Sequence, residues 1–519
     1  MKLVTAKQAA ELIKDNSTVG VAGMGLAGWP EEVGKAIADN FRETGHPRGL
    51  NLKQGCSLGD WHNRGTTVLG VEGLVTKWSG AHIGSSFALI DLVLKNKIEC
   101  HCLPQGIIVN LWREIAAGRP GLVSKVGLGA FVDPRIEGGK MNDVTKSDLV
   151  ELIDFDGEEY LFYKSFPVDV ALLRGTISDE KGNISFENEG MINEGLAVAQ
   201  AAKNSGGIVI VQVEYISKAG TIKPKDVRIP GILVDYVVQA TDERACWQTE
   251  GSRYNPAFSG QIRQPVSDIE PLPFDERKVI ARRCAMEFSK GSIINLGIGI
   301  PTNCAKVIAE EGLADEVIMT AESGIIGGVP VPLPDFGNAF NPDATITHGE
   351  MFDFIDGGGL DITCLGMSES DKYGNVNVSK FNNRLFGPGG FIDITSSTPK
   401  IIFCGTFMNK AKIEIVESKL RILEEGDINK FLSQVEQITF SGQQAREDQT
   451  VLYVTERCVF KLIDGKMTLM EIAPGIDLQK DILDLMDFEP VIPEDGLTLM
   501  DEKIFAENWD ELRKKIIPK

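Results

Sequence analysis

The stretch MTAESGIIGGVP, residues 319–330, sets one carboxylate, Glu322, between an apolar run and a cluster of glycines. A lone glutamate there has two uses. It can cap a helix at the surface, or it can face a ligand that the following glycines let crowd close. IIGGVP is a poor helix start, which favours the second use. Two more glycine clusters could bring backbone close to a ligand. GMGLAGWP, residues 23–30, carries Gly23 and Gly25 behind a strand-like run. A glycine-rich turn ahead of a helix presents N–H groups to an anion or a polarised carbonyl. Its G-x-G-x-x-G spacing lacks the acidic residue ~20 positions on that a dinucleotide site requires. GPGGFIDI, residues 387–394, holds Gly387, Gly389 and Gly390 ahead of Phe391. It reads either as a β-turn feeding a strand FIDI or as a place where backbone approaches a flat ligand.

Other residues able to do chemistry are less well placed. Cys100, His101 and Cys102 lie in an apparent strand, IECHCLP, whose alternation puts the histidine on the opposite face from both cysteines and argues against a shared metal. His348 in THGEMFDF reads as structural. In VSKFNNRLF, Lys380 and Arg384 form either a solvated face or, beside GPGGF, a neutraliser of ligand phosphates.

The elements that position these groups follow from periodicity. Apolar, β-branched runs such as STVGVAG, GIVIVQVEYI, SIINLGIG, EVIMT and KIIFCGTF alternate with helix-like segments such as WPEEVGKAIADNF and PTNCAKVIAEEGL. That alternation marks an α/β architecture with parallel, buried strands. The chain also repeats itself. STVGVAGMGLAGWPEEV reads like GSIINLGIGIPTNCAKV, with Gly23 and Gly25 falling on Gly297 and Gly299 at an offset of 274. DVALLRGTISDEKGNIS from Asp169 then reads like DITCLGMSESDKYGNVN from Asp361 at an offset of 192, and IVIVQV from Ile208 like IIFCGT from Ile401. Three blocks in one order predict two tandem domains of one fold. The fall in offset leaves about 80 extra residues in the first. A polar segment with four prolines, 253–278, is the expected linker between domains at 1–252 and 279–519.

Composition bounds the function. At 519 residues the chain exceeds the roughly 250–300 at which a single core stops growing. A net charge of −21 argues against nucleic acid as a partner. No apolar run approaches the ~18–20 residues that cross a bilayer. The N-terminus lacks the basic start and apolar block of a signal peptide, and nine cysteines without a C-x-x-C pair fit a reducing compartment. A cytoplasmic enzyme is therefore expected.

Taken together, the motifs resemble the family I coenzyme A transferases, the group of acetate, propionate and 3-oxoacid CoA-transferases. AESGIIGGVP resembles the segment bearing their catalytic glutamate, and GMGLAGWP their N-terminal glycine-rich turn. LPQG, residues 103–106, resembles the segment that sets a glutamine, here Gln105, beside the reacting carbonyl. GGGLDITCLG, KYGNVNVS and GPGGFIDI match their later blocks in order. The resemblance runs from about Val4 to the MDFEPVIP segment at 486–493 and is closest to the single-chain acetate/propionate enzymes.

That resemblance implies an active site between two open α/β domains. Glu322 would be the nucleophile, and Gly23, Gly25 and Gln105 would support the oxyanion. Gly387, Gly389, Gly390, Phe391 and Lys380 would hold CoA. The expected reaction is ping-pong transfer of CoA between short-chain acids such as acetate, propionate or butyrate through a glutamyl-CoA thioester. CoA would be a substrate, with no cofactor, metal, nucleic acid or membrane involved, and the chain a homo-oligomer, dimer or tetramer. A thioesterase of the same architecture and a CoA-binding regulator without turnover are the rival readings.

Overall fold

The β-branched runs pair in parallel, in two separate sheets. The computed structural model describes residues 1–265, 270–509 and 511–516. In the first sheet the central order is Tyr236–Gln239, Ile208–Ser217, Val170–Asp179, Thr18–Val21 and Leu50–Gln54, every pair parallel. In the second it is Thr450–Val454, Lys400–Cys404, Ile362–Gly366, Ile293–Leu296 and Ile318–Ala321, again all parallel. The two orders correspond strand for strand, and the blocks that match in sequence take matching places. Residues such as Val21, Leu172, Ile294 and Ile402 are fully buried, as expected for parallel strands covered on both faces.

The repeat extends to local hydrogen bonding. Asp179 accepts the Lys181 and Asn183 backbone N–H groups and the Asn183 amide, closing the turn in DEKGN. Asp371 accepts from Tyr373, Asn375 and the Asn375 amide in the same way in DKYGN. Both are aspartate-closed turns that satisfy backbone donors without secondary structure.

The halves differ beyond the fifth strand. The first sheet continues through Val75–Gly80 and Glu99–Cys102. The chain then forms the helix Gln105–Ala116 and a three-stranded antiparallel sheet of Gly121–Ser124, Glu158–Lys164 and Val150–Phe155. The second half instead folds straight back after Ala321 into the antiparallel strand Ile325–Ile326. The inserted residues of the first half therefore carry Gln105. The helix Gln105–Ala116 packs on the helices His348–Asp356 and Phe391–Ser397 of the second half. Across that contact the Asn110 amide and the Arg113 guanidinium donate to the Asp353 carboxylate at 2.9 and 2.8 Å.

Within the segment 253–278, residues 266–269 lie outside the described residues. The helix Glu276–Ala285 begins inside it, with Asp275 accepting the Lys278 backbone N–H as N-cap. FIDI is not a strand. It opens the helix Phe391–Ser397, with a bond from the Ile394 N–H to the Gly390 carbonyl. Four residues, three of them apolar, carry no periodicity long enough to separate the two forms. No described helix is long and apolar enough to cross a membrane.

Candidate active site

Glu322 sits in the tight turn of a β-hairpin, between strands Ile318–Ala321 and Ile325–Ile326. Gly324 holds φ +110° there, and a Cβ on it would lie 2.1 Å from the Ile346 carbonyl oxygen. Only glycine fits that position. The Ser323 hydroxyl turns inward and donates to the Gly337 carbonyl at 2.6 Å. Glu322 is left facing a cavity of about 470 Å3, lined from the first half by residues such as Gly25, Cys56 and Gln105 and from the second by Asn295, Gly366 and Lys430.

Four side chains set the chemistry around the carboxylate. Burial raises the Glu322 pKa above the ordinary carboxylate value, while its own backbone N–H and the Asn295 amide favour the charge. Asn295 is fully buried on the adjacent strand, and neither of its amide atoms is bonded elsewhere. Gln105 is 1% exposed, and its Nε2 lies 2.9 Å from His348 Nε2. Cys56 is the fourth. Thr320 pairs with Asn295 as Gln54 pairs with Val21, and Glu322 and Cys56 each lie two residues further on. The repeat thus sets a thiol in the first half where the second has its carboxylate. Burial and the Glu322 and Glu194 charges push the Cys56 pKa well up, so it stays an unreactive thiol.

The glycine turns divide by role. Gly25 lines the cavity, but its N–H donates to the Ser57 carbonyl at 2.8 Å. Gly23 is not on the wall. Its φ is +123°, and a Cβ would meet the Ala27 carbonyl oxygen at 2.0 Å. The turn shapes the cavity while its bonds close on the protein itself. Gly387, Gly389, Gly390 and Phe391 all line the cavity. A Cβ on Gly387 would stand 2.4 Å from the Ala81 carbonyl oxygen, so this loop docks on the first half through its missing side chain. Two backbone bonds of 3.0 Å, Gly389 N–H to Ala81 and Gln105 N–H to Gly389, fasten it there.

Lys380 is absent from the wall. It sits in a short hairpin, Lys380–Phe381 with Arg384–Leu385, turned by Asn382 and Asn383 at positive φ, and Phe381 is the residue that reaches the cavity. The cation on the wall is Lys430, whose Nζ donates to the Thr406 carbonyl at 2.8 Å and whose pKa burial lowers. The wall also holds Trp61, His82, Phe381 and Phe386, with neighbouring ring centroids 5.3 to 6.4 Å apart. Burial lowers the His82 pKa to about 4, which leaves this aromatic wall uncharged.

Sequence reasoning missed Asn295, Cys56, Lys430 and the role of His348. Asn295 had a signal, as the one polar residue in the apolar run IINL. His348 had another. Thr347 and Glu350 form a capping box, each side chain bonding the other's backbone N–H, which fixes His348 at the first turn of its helix. Cys56 and Lys430 carry no local mark.

The chain is similar to known proteins in sequence and in fold. Residues 3–240 match the family model described as Coenzyme A transferase. A caffeate CoA-transferase of Acetobacterium woodii is 65% identical over 517 residues, covering 98% of each chain. The acetate CoA-transferase YdiF of Escherichia coli K12 is 44% identical over 510 residues, 97% of this chain and 95% of that protein. The crystal structure of the E. coli O157:H7 acyl-CoA transferase YdiF apoenzyme superposes with a TM-score of 0.93 at 42% identity, covering 100% of this chain and 98% of that one. A second structure of that enzyme, a thioester complex with CoA, superposes at 0.92.

Proposed function

The chain belongs to the coenzyme A transferases, and from that premise we propose that it moves CoA from an acyl-CoA to a free carboxylic acid through a thioester on Glu322. The observation that carries this reading is the pairing of an ionisable carboxylate with two buried amides in a cavity walled by both halves. The thioester complex described for YdiF supports it.

Glu322 attacks the thioester carbonyl, giving a mixed anhydride and CoA thiolate. The thiolate attacks the glutamyl carbonyl, releasing the first acid and leaving CoA on Glu322. An incoming carboxylate attacks that thioester, and the freed thiolate then takes the new acyl group, restoring the glutamate. One thioester replaces another, so the exchange needs neither ATP nor a redox cofactor. Each attack develops an oxyanion, which the Gln105 and Asn295 amides, lining the same cavity as Glu322, stabilise. The loop at Gly389 and the Lys430 ammonium hold CoA, and fixing that long substrate makes the attack local, worth up to about 7–11 kcal/mol of barrier. Gln105→Ala should lower kcat by roughly 10²–10³-fold with little change in melting temperature. An unchanged kcat would remove it from the oxyanion role.

Short-chain acids such as acetate, propionate and butyrate are the acceptors the sequence resemblance suggests. The wall of Trp61, His82, Phe381 and Phe386 favours a second reading, a flat aryl acid stacked on uncharged rings, in line with the activity named for the caffeate enzyme. Measuring CoA transfer from acetyl-CoA to a panel of acetate, propionate, butyrate and caffeate separates them. With the aromatic wall in use, kcat/KM for caffeate exceeds that for acetate by tenfold or more and falls in Trp61→Ala. With short acids preferred, the order reverses and Trp61→Ala leaves it unchanged. Hydrolysis without any acceptor acid would identify a thioesterase instead.

A further inference from the structure

Behind Gln105, a buried chain of hydrogen bonds runs through two residues, His348 and Glu194, that the reaction as derived does not use. His348 is 0% exposed and Glu194 5%. His348 Nδ1 lies 2.9 Å from Glu194 Oε2, and its Nε2 lies 2.9 Å from Gln105 Nε2. The chain crosses the two halves, since Glu194 and Gln105 belong to the first and His348 to the second. Its backbone crosses as well, through the bond from the His348 N–H to the Ile192 carbonyl at 3.0 Å.

Chemistry assigns the protons. A carboxylate only accepts, so His348 Nδ1 carries hydrogen toward Glu194. The Gln105 NH2 only donates, so His348 Nε2 is bare and accepts. A carboxamide buried without such a partner can turn its oxygen and nitrogen about at little cost. Here one amide hydrogen of Gln105 is tied to His348, and the other remains for the cavity. Reversing the amide would set its oxygen against the bare ring nitrogen, two acceptors facing each other.

We propose that Glu194 and His348 are positioning residues: the carboxylate fixes the imidazole tautomer, and the imidazole fixes the carboxamide of Gln105 with its N–H toward the reacting carbonyl. The proposal rests on the reading of Gln105 as an oxyanion donor, and its test separates the two. Glu194→Gln keeps size and burial but lets the ring adopt either tautomer, so a fraction of Gln105 amides reverses.

The expected result is a fall in kcat of about tenfold, with KM for acetyl-CoA within twofold of wild type and a nearly unchanged melting temperature. In a Gln105→Ala background the same substitution should have no further effect on kcat, because residues acting through one group are not additive. His348→Gln, which returns an accepting oxygen near the place of Nε2, should keep several-fold more activity than His348→Leu. This second comparison decides the matter if Glu194→Gln does not fold. An unchanged kcat in Glu194→Gln, an undiminished effect in the Gln105→Ala background, or equal loss in His348→Gln and His348→Leu at equal folding would overturn the positioning role. A normal kcat in Gln105→Ala alone would overturn the reading of Gln105 itself, and the positioning role with it.

Discussion

Glu322→Ala loses CoA transfer by about 10⁴-fold or more while keeping its fold and its affinity for CoA, because a methyl group cannot form the anhydride. The expectation depends on the contrast with Cys56, on the same cavity wall. A thiolate would be the stronger nucleophile, yet burial and two carboxylate neighbours hold the thiol protonated. Cys56→Ala should therefore retain activity within about tenfold, as expected for a side chain that packs but does not react. Steady-state rates of freshly purified variants decide it. If Glu322→Ala keeps more than a few per cent of the rate, or if Cys56→Ala is the dead variant, the nucleophile has been misassigned. A pH profile adds a sign. The attacking form is the carboxylate, and burial raises its pKa, so activity on the acid side should fail at a pH above the ~4.3 of an exposed glutamate.

How much of this was legible in the sequence depends on how locally each feature is encoded. The strands of both sheets are short runs of buried β-branched residues and could be read at once, and three matched blocks were enough to expect a duplicated α/β fold. Glu322 stood out because Gly324, Gly327 and Gly328, all at positive φ, mark a turn that a helix start would not have. The cavity wall was less legible. Lys380 and Lys430 are both lysines on short strands or beside them, and only the pairing of Ser370–Asp371 with Phe431–Leu432 brings the second to the site. Asn295, Gln105, Glu194 and His348 converge from four elements across the two halves, so no window of sequence contains their contact. The use of Gly25 was not legible for a related reason. A glycine turn and an anion-binding turn look alike until the bond from Gly25 to Ser57 shows where the N–H goes.

The covalent intermediate gives the other large effect. Acyl-CoA supplied without an acceptor acid should convert Glu322 to its CoA thioester, since the first half-reaction can proceed and the second cannot. A thioester is reduced by borohydride and cleaved by hydroxylamine, whereas a carboxylate resists both. Treated after acetyl-CoA, the enzyme should lose essentially all activity to either reagent. Treated without acyl-CoA, it should lose none. Adding an acceptor acid first should protect it by discharging the thioester, and the acid that protects at the lowest concentration identifies the preferred acceptor independently of steady-state rates. Mass spectrometry should place the change on the peptide that contains AESGIIGGVP. The fully buried cysteines of the second-half core, Cys284, Cys304 and Cys364, should remain unmodified, which separates attack on the thioester from general thiol chemistry. Inactivation that needs no acyl-CoA, or a modification at Cys56 in place of Glu322, would sink the glutamyl-CoA route even if CoA transfer itself were observed.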